Sequence, residues 1–340
     1  MAHEYNAANV YTLAELAQFY DPDGKLDISE FINMVTKEDP IIEHMLWMQG
    51  NQTDGHKTKI ITKIPEPSFR RLYKGVKPSK SGIASVKETT SELVSRWEID
   101  AKELAMYEGK ADQGAFRMME GENHVAGMRQ FIANQLFYGA KDVNPDELRG
   151  LAARYAYKDG PNVIDAGGTT GNMCSIWGVV WGAKDTFGFY PKKTQAGIQH
   201  TVLPEFDATD EDGGKFRAVG DHWSWDIGFT VADWRSVVRV CNIPVASLAI
   251  TDPEADGYID LAALMIQAKN KIKPGKRRKI KWYTTGAVLT ALEISALKFK
   301  NAALGYGQNL DSSDVLHVHK CPIFECESLL ETETVLPALS

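Results

Sequence analysis

In DPDGKLDISEF (21–31), placing Glu30 at the last ligand position of a calcium loop puts Gly24 at the turn, Leu26 at the apolar position and Asp21, Asp23 and Asp27 at oxygen-ligand positions. The first ligand position then falls on Phe19, Pro22 stiffens the loop, and Asp-Pro-Asp-Gly is itself a good turn sequence, so a turn is the reading taken. The run DAGGTTGN (165–172) has glycines that could approach a phosphate. It lacks Gly-x-Gly-x-x-Gly spacing and leads into a strand-like MCSIWGVVW rather than a helix N-terminus, so a glycine-rich turn is expected. His317, His319 and Cys321 alternate on one face of a predicted closing strand, with Cys326 beyond. Closed zinc sites mostly use spacings such as Cys-x-x-Cys, so a half-buried strand is expected instead. The basic run KIKPGKRRKIK (271–281) could touch phosphate, yet it spans a predicted helix stop and strand start, where solvated lysines are ordinary. No nucleophile elbow, His-Glu-x-x-His or P-loop occurs, and no catalytic residue, metal or cofactor is assigned.

The elements around these stretches follow from periodicity. Upstream, short helices are predicted at 13–19 and 28–35, and Asp39-Pro40 offers an N-cap and first-turn proline for a third through Met48. Residues 112–138 give the strongest helix signal, with Val125, Met128, Ile132 and Leu136 as its stripe and Gly139 as its stop. At 1.5 Å per residue it would be roughly 40 Å long and able to serve as the spine of a domain. From Asn162 the pattern turns to β through NVIDA, SIWGVVWG, TFGFYPK and WSWDIGFTVADWRSVVRVCN. Asp260 caps a further helix stopped by Pro274-Gly275, followed by strand KIKWYTT, helix AVLTALEISALKFKN and a single closing strand VLHVHKCPIFEC. The class is mixed α+β.

Charge is unevenly spread. The chain carries a formal −7, which disfavours a dedicated nucleic-acid binder. Between Gly55 and Lys87, however, nine lysines and arginines face Glu66 alone, a local +8 that leaves −15 elsewhere. Segments 57–64 and 83–89 have strand character and read as a long hairpin, with Thr58, Ile60, Thr62 and Ile64 on one face. Its 18-residue connection, PEPSFRRLYKGVKPSKSG, has three prolines and little apolar content. So long a connection is uncommon inside a compact domain, and two readings stand: a mobile surface loop, or an arm ordered on a neighbouring acidic subunit.

With 340 residues, 44% of them hydrophobic, the chain can bury a sizeable core, and its longest apolar stretch (176–183) is far short of the roughly 20 residues a membrane-spanning helix needs. The N-terminal MAHEYNAANVYTLAELAQ has no basic leader followed by an apolar block, so a cytoplasm-like compartment is expected. Cys174, Cys241, Cys321 and Cys326 are too few and scattered for a disulfide framework and are expected as free, buried thiols.

Several segments, in order, resemble the major capsid proteins of tailed phages, specifically the epsilon-fifteen-like short-tailed group with the Hong Kong 97 fold. They are NVYTLAELAQ, the hairpin with GVKPSKS, FRMMEGENHVAGMRQFIANQLFYG, ELRGLAARY, NVIDAGGTTGNMCSIWGVVWGAKDTFGFYPKKTQAGIQH, WSWDIGFTVADWRSVVRVCNI and HKCPIFECESLLETE. One departure is Cys321, which stands where glycine is usual before Pro322. The resemblance implies an N-terminal arm (1–50), an extended E-loop (51–90) and a peripheral domain with the spine helix (91–145). An axial domain with the remaining peripheral strands (146–320) and a C-terminal segment returning to the peripheral domain (321–340) would follow.

The implied function is self-assembly into the pentamers and hexamers of an icosahedral head enclosing double-stranded DNA, in a virion built in the host cytoplasm. The E-loop residues Lys57, Lys59, Lys63, Arg70, Arg71, Lys74, Lys77 and Lys80 are expected at inter-subunit contacts. No covalent crosslink, enzymatic activity, sequence-specific DNA binding or membrane partner is expected. A chain opening at Met1 without a long helical extension suggests that scaffolding is a separate protein; a portal and a decoration or cement protein complete the expected partners. Two alternatives stand: an encapsulin-type compartment and, from another class, a small cytoplasmic calcium-binding or hydrolytic protein.

Overall fold

A computed structural model describes residues 39–339, apart from 107–109, 211, 251, 253, 300–303 and 309–313. The helices expected at 13–19 and 28–35 and the 21–31 loop lie outside the described residues. In chain order the main elements, leaving aside short helical turns, are α1 (Ile41–His44), β1 (Trp47–Gln49), β2 (Gly55–Lys63), β3 (Gly82–Thr89), β4 (Ser91–Asp100) and α2 (Lys110–Tyr138). Then come β5 (Val163–Asp165), β6 (Met173–Val180), β7 (Thr186–Tyr190), β8 (Gln199–Thr209), β9 (Lys215–Val231) and β10 (Val237–Pro244). The last group is α3 (Leu261–Lys271), β11 (Ile280–Thr284), α4 (Gly286–Phe299), β12 (Leu304–Gln308), β13 (Asp314–Val318) and β14 (Cys321–Glu325). No described helix is long and apolar enough to cross a membrane.

The chain divides into two compact units. The larger comprises Lys37–Ser91, Ala133–Thr194 and Ile227–Ser340. Its sheet runs β12-β13-β14-β11-β6-β10-β5, with β6 an interior strand, antiparallel to both neighbours, and all eight of its residues buried, as its largely apolar run predicts. Gly178 in β6 is required by packing, because a Cβ there would sit 2.7 Å from the Trp282 ring. Asp260 caps α3 by accepting from the Ala263 amide at 2.9 Å, and buried Leu261, Met265, Ala268 and Ile272 join Val288 and Leu292 of α4 in the core on this sheet. The four cysteines are buried free thiols, and burial pushes Cys174 and Cys241 up to about 12.

The chain's last segment is bound into this unit by polar groups. Glu333 pairs with β6 through Met173, and its carboxylate accepts from Arg239 Nη2 at 2.9 Å, Ser175 Oγ at 2.5 Å and Tyr138 OH at 2.7 Å. The Arg239 guanidinium also donates to the Tyr155 carbonyl at 2.9 Å and lies over the Trp177 ring at 4.7 Å. Leu336 N donates to Asn242 Oδ1 at 2.8 Å.

The smaller unit includes Glu92–Ile132 and Gln195–Asp226. Here β8 pairs antiparallel with the first part of β9, and β4 lies on β9's other edge. The helix α2 lays Phe116 5.9 Å from Trp97, and Arg117 grips Asp221 with two bonds of 3.0 Å. Trp223 is stacked against His124 at 4.8 Å and His200 at 5.2 Å. Of the predicted stripe, Met128, Ile132 and Leu136 are buried and Val125 half-buried, and the helix ends at Gly139 as expected.

Two expectations change. The helix beginning at Asp39-Pro40 ends at His44 rather than Met48, because Met45 is extended and Trp47–Gln49 becomes a strand paired with β7. Asp39 does not cap it: its carboxylate accepts from the Ser328 amide at 3.1 Å and hydroxyl at 2.5 Å. The single closing strand is instead a hairpin. His319 and Lys320 have φ of 50° and 68° and turn the chain between β13 and β14, so His317, His319 and Cys321 do not share a strand face. Among the described residues no group of three potential metal ligands forms. DAGGTTGN is a turn, with Gly167 and Gly171 at φ of 90° and 92° and Asp165 Oδ1 accepting from the Gly167 amide.

Candidate inter-subunit surface

The basic segment forms an antiparallel two-stranded hairpin, β2 with β3, and its alternation is visible in burial: His56, Thr58 and Ile60 are half-buried while Lys57, Lys59 and Ile61 are exposed. Near its start the hairpin is anchored tightly. Asn51 exchanges two 2.8 Å bonds with the backbone of Lys57, Arg154 reaches Glu88 at 2.7 Å with both side chains largely buried, and Lys141 donates to Thr89. Gly55 is required there, since a Cβ would lie 2.2 Å from the Glu88 carbonyl oxygen. His56 packs edge-on to Phe187 at 5.3 Å, and burial lowers its pKa below the ordinary value.

Further out the anchoring stops. Every residue from 61 to 81 is exposed. Lys57 and Lys59 lie on the exposed face of β2, Lys63 ends it beyond a bulge, and Arg70, Arg71, Lys74, Lys77 and Lys80 all lie in the connection. Arg70 Nε donates to the Lys74 carbonyl at 3.1 Å, yet none of the eight pairs with a described carboxylate. Lys87, the ninth basic residue, does: its Nζ is 2.5 Å from Asp54, whose pKa this bond lowers.

The connection also holds groups that counting charges overlooks. Phe69 is 107% exposed, Tyr73 100% and Leu72 85%, alternating with Arg70, Arg71 and Lys74. The described connection is therefore amphipathic in sequence but fully wetted in one copy. Exposed large apolar groups flanked by charge mark an association surface, and aromatic and arginine side chains are the types that anchor one. The signal was present in FRRLYKGV.

A family model described as Major capsid protein GP7 matches residues 21–337 of the chain. No curated protein matches it. Among solved structures, the chain is similar to that of bacteriophage Epsilon15, with a TM-score of 0.71 and 25% identity over 98% of this chain and 99% of that one. It is also similar in fold to the bacteriophage JBD30 capsid, with a TM-score of 0.53 and 7% identity over 94% of this chain and 99% of that one. The holo-SrpI encapsulin of Synechococcus elongatus gives 0.45 at 7% identity over 68% of this chain and 96% of that one.

Proposed function

This chain belongs to the major capsid protein GP7 family and is a shell subunit of an icosahedral phage head, sited in the virion, and we propose that it assembles by laying its basic hairpin across a neighbouring copy. The observation that carries the reading is the fully exposed stretch 61–81, which unites unpaired cations with Phe69, Leu72 and Tyr73. Burying each of those side chains gains about 1.5–3 kcal/mol, whereas an exposed ion pair is worth about 0.2–1 kcal/mol. Side chain for side chain, Phe69, Leu72 and Tyr73 therefore contribute more than any single ion pair. Lys57, Lys59, Lys63, Arg70, Arg71, Lys74, Lys77 and Lys80 set register against the acidic body of the next subunit.

In this reading, 1–50 is an arm, 51–90 the E-loop, 91–145 a peripheral domain, 146–320 an axial domain with the remaining peripheral strands, and 321–340 a returning segment. Copies form pentamers and hexamers around double-stranded DNA, helped by separate scaffolding, portal and cement proteins. The role is structural rather than catalytic.

Replacing Arg70 and Arg71 together by Glu tests the docking. Co-expressed with the scaffolding protein, the variant should keep its circular dichroism and elute from size exclusion as a small species, where the parent gives megadalton shells. Normal shells from the variant would remove the electrostatic part of the reading.

A further inference from the structure

A second basic pole lies far from the hairpin in sequence. Residues 269–281 hold eight lysines and arginines and no acid. Geometry places the turn at Lys320 beside them: β11 and β14 run parallel and begin at the same end of the sheet, Lys269 Nζ donates to the His319 carbonyl at 2.8 Å, and Cys321 Sγ lies 3.3 Å from the Arg277 carbonyl oxygen.

The local hydrogen bonds hold this pole in shape without neutralising it. Arg277 donates to the carbonyls of Ile272 at 2.9 Å and Asn270 at 2.7 Å, fastening the end of α3, and Lys271 donates to the Val163 carbonyl at 2.6 Å. Carbonyls leave those cations charged. Lys276 alone in the segment meets described carboxylates, those of Asp185 and Asp233. Lys273, Arg278, Lys279 and Lys320 are exposed and face no described acid.

We propose that this end of the large sheet binds the phosphate backbone of the packaged duplex and so faces the lumen of the head; the proposal rests on the shell reading above. The contrast with the hairpin selects the partner. Within 269–281 the large apolar residues Ile272 and Ile280 are fully buried, so the segment offers cations and no anchor, whereas the hairpin interleaves its charges with exposed rings. Protein interfaces are depleted in lysine and need apolar anchors. Sequence-independent binding to DNA needs only fixed cations that displace counterions from phosphates.

Amine-reactive labelling, read residue by residue by mass spectrometry, tests this on unassembled subunits, DNA-filled heads and the same heads emptied of DNA. Lys273, Lys279 and Lys320 should label alike in subunits and emptied heads, and about threefold or more slowly in filled heads, where phosphates cover them. Equal protection in filled and emptied heads would assign the pole to a neighbouring subunit, and equal labelling in all three would turn it outward; either overturns the proposal. Lys74 and Lys77 serve as the separate check on the shell reading, because hairpin docking protects them in both kinds of head regardless of DNA.

Discussion

Lys57 and Lys87 stand directly opposite each other across the hairpin ladder, and Asp54 Oδ2 lies 2.5 Å from Lys87 Nζ. Like charges in register repel, and pairing Lys87 with Asp54 offsets that repulsion. Asp54→Asn should speed amide hydrogen exchange at the start of β2 at neutral pH. Because Lys87 lowers the Asp54 pKa below 3.8, the contribution is present above that value and lost as pH falls through the folded-state value. The difference between variant and parent should therefore vanish in acid and shrink in high salt; persistence under both would assign the effect elsewhere.

Removing one member of a buried ion pair strands the other. Arg239 and Glu333 side chains are 3% and 6% exposed, so Glu333→Ala should cost about 3–5 kcal/mol of unfolding free energy, read from denaturant midpoints. A loss below about 1 kcal/mol would mean that water reaches the guanidinium once the carboxylate is gone.

His44 is wedged 4.2 Å from Phe324 with Nδ1 3.0 Å from Tyr283 OH, and burial, aided by the Lys281 charge, lowers its pKa from 6.5 to about 4. The unfolded chain takes up that proton first, so stability should fall as pH drops from 6.5 towards 4. His44→Gln should flatten thermal midpoints across that window; an unchanged slope would place the titration on another group.

Gly178→Ala forces a methyl into the Trp282 ring and towards Val238, both fully buried. Overpacking of this kind costs about 1–3 kcal/mol, and a lowered thermal midpoint with unchanged circular dichroism is the expected result.

How far the sequence reveals this molecule depends on distance along the chain. The hairpin strands, the buried run of β6 and the Asp260 cap are written in neighbouring residues, and alternation or capping chemistry is enough to find them. Asp39 looked like a cap because Pro40 follows it, but its oxygens serve Ser328, 289 residues away. The turn at His319 and Lys320 lacks the Asn-Gly that usually marks positive φ at both positions, so pattern alone merged two strands. The rings of the hairpin connection were legible as letters, yet their meaning emerged only once all were found exposed.

The bond between Arg239 and Glu333 spans 94 residues of chain. On a ribosome adding roughly 5–20 residues per second, the guanidinium waits about 5–20 s before its anion is even made. Until Glu333 is made, burying Arg239 would strand its charge, so this part of the core closes only when the last segment of the chain arrives.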